Sequence, residues 1–259
     1  MPRAGEIVHA LETWAEPAGG GAVAAVQLAR LGAQCLFVTA LGDDELGRRA
    51  ERELRELGVR VAAAWRTEPQ RRAFVHLDSD GERTITVIGD RLGPNADDPL
   101  PWNELAACDA VYFTAGDAAA VRAARSAPVL VAAARGKEVL ADARVELDVV
   151  VASAADEGER LEPAELDPPP RFVALTAGPR GGELVAADGT RSRWAAAPLP
   201  GPVVDAYGAG DSFAAGLTFG LATGRSVREA LELGARCGAA CMTGRGPYGH
   251  RLSAAEAGA

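Results

Sequence analysis

The sequence predicts an α/β fold, a three-layer α/β/α sandwich in which helices cover both faces of a mostly parallel central sheet. Two observations carry this. Short buried apolar runs at 109–115, 128–133, 148–152 and 172–177 are spaced by helix-like stretches, and strands joined through helices run parallel with helices on both faces. Two further strand-like runs, 72–78 and 82–88, flank Ser79-Asp80-Gly81, a hairpin signal that sets a small antiparallel unit apart from the main sheet.

At 259 residues the chain is long enough for one large α/β domain or two small ones, and 1–259 reads as one. A formal charge of −9 argues against a bulk electrostatic grip on nucleic acid or an anionic membrane. Any phosphate bound here must be held by local dipoles, arginines or a metal. Lys137 is the only lysine and sits in Arg135-Gly136-Lys137-Glu138. That excludes a P-loop, and the lack of a His-Arg-Asp loop excludes a protein-kinase arrangement. The four cysteines show no Cys-x-x-Cys spacing, and Cys237 and Cys241, one helical turn apart, read as small packing groups. With no signal peptide and no membrane-length apolar run, a soluble cytoplasmic protein is expected.

In chain order, Glu16-Pro17-Ala18-Gly19-Gly20-Gly21 is a glycine loop opening a helix over 22–31, which Gly32 ends. A buried strand over 34–40 leads to Gly42-Asp43-Asp44-Glu45-Leu46-Gly47, whose carboxylates cap the next helix. Leu46, Ala50, Leu54 and Leu57 keep helical spacing there, and the arginines between them form a solvated face. Asp117 opens a helix over 117–126 directly after a strand. Glu157, Glu159 and Glu162 read as surface charge, and Asp188-Gly189 marks a second hairpin. A last helix over 227–242 is rich in small residues suited to close packing, and 253–259 looks like a frayed tail.

Chemistry concentrates at Asp205-Ala206-Tyr207-Gly208-Ala209-Gly210-Asp211. Glycines at 208 and 210 let successive N–H groups converge, and the helix that follows turns its positive end to the same point, so the place favours an anion. Asp211 stands in that turn either as a helix-start residue or as a base held beside an electrophile. A dinucleotide fingerprint does not fit, because Phe213 stands where the third glycine belongs.

Residues 205–216 closely resemble the C-terminal signature of the ribokinase-like carbohydrate kinases, the PfkB-type sugar kinases. The resemblance implies a ribokinase-like sandwich with a small β-lid, contributed by about 1–18 and 60–92. It implies Gly208, Ala209 and Gly210 as an anion hole for the transferring phosphoryl group and Asp211 as catalytic base. Thr176-Ala177-Gly178-Pro179-Arg180-Gly181 is similar to the family's nucleotide-bordering Thr-x-Gly-x-x-Gly, which assigns Thr176, Gly178 and Gly181, with Ser153, to ATP. By the same resemblance Gly19, Gly20 and Gly21 contact the acceptor. Asp117 has two readings, an acceptor contact and a helix cap. Asp156 takes part in holding Mg²⁺, and Asp205 with the loop 244–249 holds a monovalent cation such as K⁺. Val23 replaces the family's acceptor-binding Asn. The family's first strand and its Asp have no counterpart before Met1-Pro2-Arg3-Ala4-Gly5-Glu6, which leads us to expect a longer natural chain.

The function expected is transfer of the ATP γ-phosphoryl group to a primary hydroxyl of a sugar or sugar-like alcohol. A nucleoside acceptor, or a non-catalytic nucleotide-binding relative, is the alternative. The partners expected are small molecules and a second copy joined through the β-lid, with neither nucleic acid nor membrane.

Overall fold

The computed structural model describes residues 5–77 and 83–258. Residues 6–18 run without helix or strand into α1 (Gly20–Arg30). β1 (Leu36–Gly42) follows, then α2 (Glu45–Glu56). Asp44 caps α2 as expected, its two oxygens accepting the Gly47 N–H at 2.9 Å and the Gln70 N–H at 2.8 Å. The exposed face of α2 carries Arg49–Glu53 and Arg55–Glu51 ion pairs, while Leu54 is buried.

β2 (Arg60–Arg66) pairs in parallel with β1, from Leu36 opposite Arg60 to Gly42 opposite Arg66. The sequence grouped this segment with the lid; it pairs with β1 in a two-stranded sheet distinct from the β3–β4 hairpin. Its Ala62-Ala63-Ala64 centre has no β-branched alternation, so the strand is specified by its neighbour and not by local propensity. The hairpin strands β3 (Arg72–Leu77) and β4 (Arg83–Ile88) pair antiparallel as expected. The Ser79-Asp80-Gly81 turn lies outside the described residues.

A six-stranded sheet forms the rest of the body. β5 (Ala110–Phe113) leads to α3 (Ala118–Ala124), β6 (Val129–Ala133), α4 (Lys137–Ala143), β7 (Val149–Ser153) and β8 (Phe172–Thr176). β9 (Gly182–Ala186) and β10 (Arg191–Trp194) form the hairpin over Asp188-Gly189, with the Thr190 N–H bonded to Asp188 Oδ1 at 2.8 Å. The order is β10-β9-β8-β7-β6-β5, parallel from β5 to β8 and antiparallel at β9 and β10.

Alternation along these strands builds a core on each face. Leu130, Ala132, Val150, Ala152 and Val173 pack with Val121 and Leu140 of α3 and α4. Val131, Val149, Val151 and Ala174 face α5 (Ala209–Ala222) and α6 (Val227–Cys241), where Phe213 stacks on Trp194 at 5.7 Å between ring centroids. Small residues let α5 and α6 touch: a Cβ on Gly216 would meet the Gly234 backbone at 2.9 Å. The four cysteines are unpaired, and burial pushes the Cys237 thiol up to about 12, so it packs as an apolar group.

The C-terminal tail is not frayed. Ser253 and Glu256 form a capping box for α7 (Ala254–Ala257), Leu252 and Ala257 are buried against Leu31 and Cys237, and Gln27 donates to the Leu252 carbonyl at 2.8 Å. The cap and the apolar pair tie down a segment whose composition alone reads as loose.

Candidate active site

Two helix starts converge on one carboxylate. α5 begins at Gly208, whose φ of +81° is the left-handed conformation that glycine adopts without strain. α1 begins beside it, with the Gly19 N–H bonded to the Tyr207 hydroxyl at 3.3 Å. Asp211, in the first turn of α5, lies against α1: a Cβ placed on Gly20 would stand 2.5 Å from Asp211 Oδ1. In the turn itself, the Ala209 N–H makes a long 3.3 Å bond to the Ala206 carbonyl. Gly210 is exposed, with nothing within 4 Å of where a Cβ would be. The amides at the start of a helix lack i−4 partners, and those of α5 stand beside a carboxylate.

The loop before α5 is fixed from below. Asp205 is 4% exposed, and its oxygens accept the Tyr207 N–H at 2.8 Å and the Gly246 N–H at 3.2 Å. Ser212 donates to the Gly208 carbonyl at 2.7 Å and in turn accepts a hydrogen bond from the buried Arg251 guanidinium. Burial pulls the Arg251 pKa below its ordinary value.

The ends of β7 and β8 supply a second wall. Ser153 and Thr176 are register partners, and the Thr176 hydroxyl donates to the Ala152 carbonyl at 3.1 Å. Ser153 Oγ accepts the Ala155 N–H, and Asp156 accepts the Gly158 N–H at 2.9 Å. Gly178 is open on its Cβ side, while Gly181 packs against Trp194 and Ala195, so its glycine is also demanded by the hairpin. Glu159 is not surface charge. Its side chain is 14% exposed, accepts the Ser153 N–H at 3.1 Å and clamps Arg135 at 2.8 and 2.5 Å. Burial alone would lower the Arg135 pKa, but the Glu159 hydrogen bonds and the charges of Glu159, Asp156 and Asp211 outweigh it and raise it. Tyr112, partly buried against the core, has its phenol pushed well up, first by desolvation and then by the Asp211 and Glu159 charges.

A Cβ on Gly21 would meet Thr114 Oγ1 at 3.2 Å, so the glycine loop lies across the exit of β5. Arg91 donates to the Thr114 carbonyl at 2.9 Å. Val23 is fully buried and packs behind Gly208. Asp117 caps α3, taking the Ala120 N–H at 2.7 Å and the Ala96 N–H at 3.3 Å. Sequence reading missed Arg91, Arg135, Glu159, Tyr207 and Arg251. Tyr207 lies within the glycine motif but carries no signal of its own there, and Arg91, Arg135, Glu159 and Arg251 lie outside the motifs with no spacing that marks them.

Among the described residues no group of three or more His, Cys, Asp or Glu is arranged to hold a metal, and no helix is long and apolar enough to cross a membrane. Mg²⁺ ordinarily binds through substrate phosphates plus one or two carboxylates. Asp156, whose side chain is 49% exposed, is a carboxylate open to such a contact.

The profile of the pfkB family carbohydrate kinases matches residues 2–252. The chain is 30% identical over 246 residues to a fructoselysine 6-kinase of Escherichia coli (strain K12), covering 89% of this chain and 91% of that protein. It is 29% identical over 243 residues to an ATP-dependent ribose-1-phosphate kinase of Halopiger xanaduensis, covering 85% and 79%. In three dimensions it is similar to a putative ribokinase from Agrobacterium tumefaciens, with a TM-score of 0.80, 25% identity, and 100% and 90% of the two chains covered. An Arabidopsis thaliana ribokinase complexed with ribose and ATP matches with a TM-score of 0.77 at 20% identity, over 99% and 91%. This chain belongs to the pfkB family of carbohydrate kinases, ATP-dependent enzymes that phosphorylate sugars or nucleosides.

Proposed function

We propose that this kinase moves the γ-phosphoryl group of ATP to a primary hydroxyl of a sugar or sugar-like alcohol, with Asp211 as the base. One observation supports this above the others: the Asp211 carboxylate stands where the starts of α1 and α5 meet, within reach of both glycine turns. Asp211 accepts the hydroxyl proton as the oxygen attacks the γ-phosphorus, the bond to the β-phosphate oxygen breaks, and ADP leaves. The N–H groups of Gly208, Ala209 and Gly210 stabilise the charge on the equatorial phosphoryl oxygens. Thr176, Gly178, Gly181 and Ser153 border the nucleotide. Gly19, Gly20 and Gly21 approach the acceptor, with Asp117 holding the wall behind it.

Mg²⁺, carried on the phosphates, would meet Asp156 and would neutralise their charge. A monovalent cation would lie against Asp205 and the 244–249 loop. Asp205 is a buried carboxylate with no arginine within 4.0 Å among the described residues, which favours a nearby cation. The four unpaired cysteines fit the reducing cytoplasm. The β3–β4 hairpin exposes Val75, Ile85 and Val87 on one face, the apolar surface that a homodimer joined through the lid would cover.

The test is Asp211→Asn. Turnover should fall at least ~100-fold, the low end for losing a general base, with ATP affinity within threefold of the parent. Undiminished turnover would remove Asp211 from the chemistry and leave a nucleotide-binding protein with another base or none.

A further inference from the structure

We propose that the acceptor carries an anionic substituent, a phosphate or a carboxylate, which Arg91 grips with support from Arg71. This rests on the kinase reading above and adds to it the chemical class of the acceptor. Residues can be followed from the reacting group outward. Asp211 lies against Gly20, and the next residue, Gly21, lies against Thr114. The Thr114 carbonyl receives Arg91 Nη2 at 2.9 Å. One glycine loop therefore spans from the base to a guanidinium, with the acceptor site along it.

Arg91 is exposed, and among the described residues neither it nor Arg71 has a carboxylate within 4.0 Å. Arg71 is close by, across the base of the hairpin, where a Cβ on Gly89 would meet its Cα at 3.7 Å. The surrounding protein, then the like charges of Arg71 and Arg135, lower the Arg91 pKa. Arg91 and Arg71, two guanidinium groups without a carboxylate partner among the described residues, give this mouth a local positive potential that attracts an anion. The planar fork of an arginine matches phosphate or carboxylate oxygens through two hydrogen bonds.

The glycine loop brings acceptors as well, Asp211 Oδ1 and Thr114 Oγ1. What Arg91 and Arg71 add is donors, which a ligand carrying several acceptor oxygens on one group would use.

The test compares matched acceptors with ATP and Mg²⁺: ribose against ribose 1-phosphate, fructose against fructose 6-phosphate, and glucose against gluconate. At least one charged member should exceed its neutral partner in kcat/KM by ~100-fold. Arg91→Gln should cut that preference by ~30-fold or more, the scale of removing one partner of a charged pair, while the surface control Arg228→Gln should not. The phosphate and carboxylate arms show which anion is meant. A neutral sugar used as well as its charged partner, or a preference untouched by Arg91→Gln, overturns the proposal and leaves the kinase reading standing. If no acceptor is phosphorylated and calorimetry detects no binding of ribose 1-phosphate or gluconate, both fall. Binding of either anion that weakens in Arg91→Gln supports the anion site even where turnover is absent.

Discussion

Gly20 and Asp211 share a space that has no room for a methyl group: a Cβ on the first would stand 2.5 Å from Oδ1 of the second. Residue 20 is helical and its φ is not in the left-handed region, so alanine suits its backbone and gains helix propensity. The conflict is confined to the carboxylate. Gly20→Ala should therefore keep or raise Tm while displacing Asp211 and lowering kcat by ~100-fold, the scale of an ångström-level misplacement. A variant with both Tm and kcat unchanged would show that Asp211 does not need its present position.

Arg251 is a buried cation with few partners. Its Nη1 donates to Ser212, whereas Nε and Nη2 have none. A half-satisfied buried charge contributes little to stability, and an apolar replacement of similar shape is often neutral. Arg251→Met should stay within about 1 kcal/mol of the parent in stability. Its charge still reaches the phosphoryl site, since Arg251 interacts electrostatically with Asp211, and at an effective dielectric of about 20 such an effect is on the order of 1–2 kcal/mol. That corresponds to a loss of about tenfold in kcat. Denaturant melts and steady-state kinetics on the same variant separate the two effects, and a large stability loss with normal kcat would reverse the argument.

The parts of this protein that were legible in its sequence are those where local rules and tertiary structure agree. Asp44 caps α2, Asp188-Gly189 turns β9 into β10, and Gly208 starts α5, because each is demanded by the backbone at that place. β2 was not legible, since Arg60–Arg66 becomes a strand only through pairing with β1. The tail at 253–258 looked loose because its anchors, Leu31 and Gln27, lie more than 200 residues away. The same holds for Glu159: only the folded chain brings its oxygen to the Ser153 N–H and its other side to Arg135.

Asp205 supplies a cation test. It is buried, accepts two backbone N–H bonds and carries a charge that hydrogen bonds alone compensate poorly. Replacing K⁺ by tetramethylammonium, too large to enter, should lower kcat/KM by about fivefold or more and lower Tm, since a ligand held only by the folded state stabilises it. In Asp205→Asn both responses to K⁺ should disappear. Equal activity and equal Tm in the two salts would remove the cation from this enzyme.

The Arg66–Asp98 ion pair pins the loop carrying the chain from the hairpin to β5, and it sets a pH dependence. Arg66 holds Asp98 at 2.7 and 2.6 Å and the Gly93 carbonyl at 2.9 Å, and the Asp98–Arg66 side chains are only 12% and 21% exposed. The Arg66 hydrogen bond holds the Asp98 carboxyl below its ordinary pKa of 3.8, with the Asn95 N–H and the Arg66 charge adding to it. The folded state therefore binds this proton less readily than the unfolded chain. Its stabilisation is complete above the unfolded pKa and is lost as pH falls through the folded value, in the window from just above 4 downward. Asp98→Asn keeps the shape but loses the charge. At pH 7 it should cost about 2 kcal/mol, the scale of a hydrogen bond to a charged group, and the gap in Tm between parent and variant should narrow as pH is lowered below 4. A gap that stays constant from pH 7 to pH 3 would mean that the pair contributes through shape and not through charge.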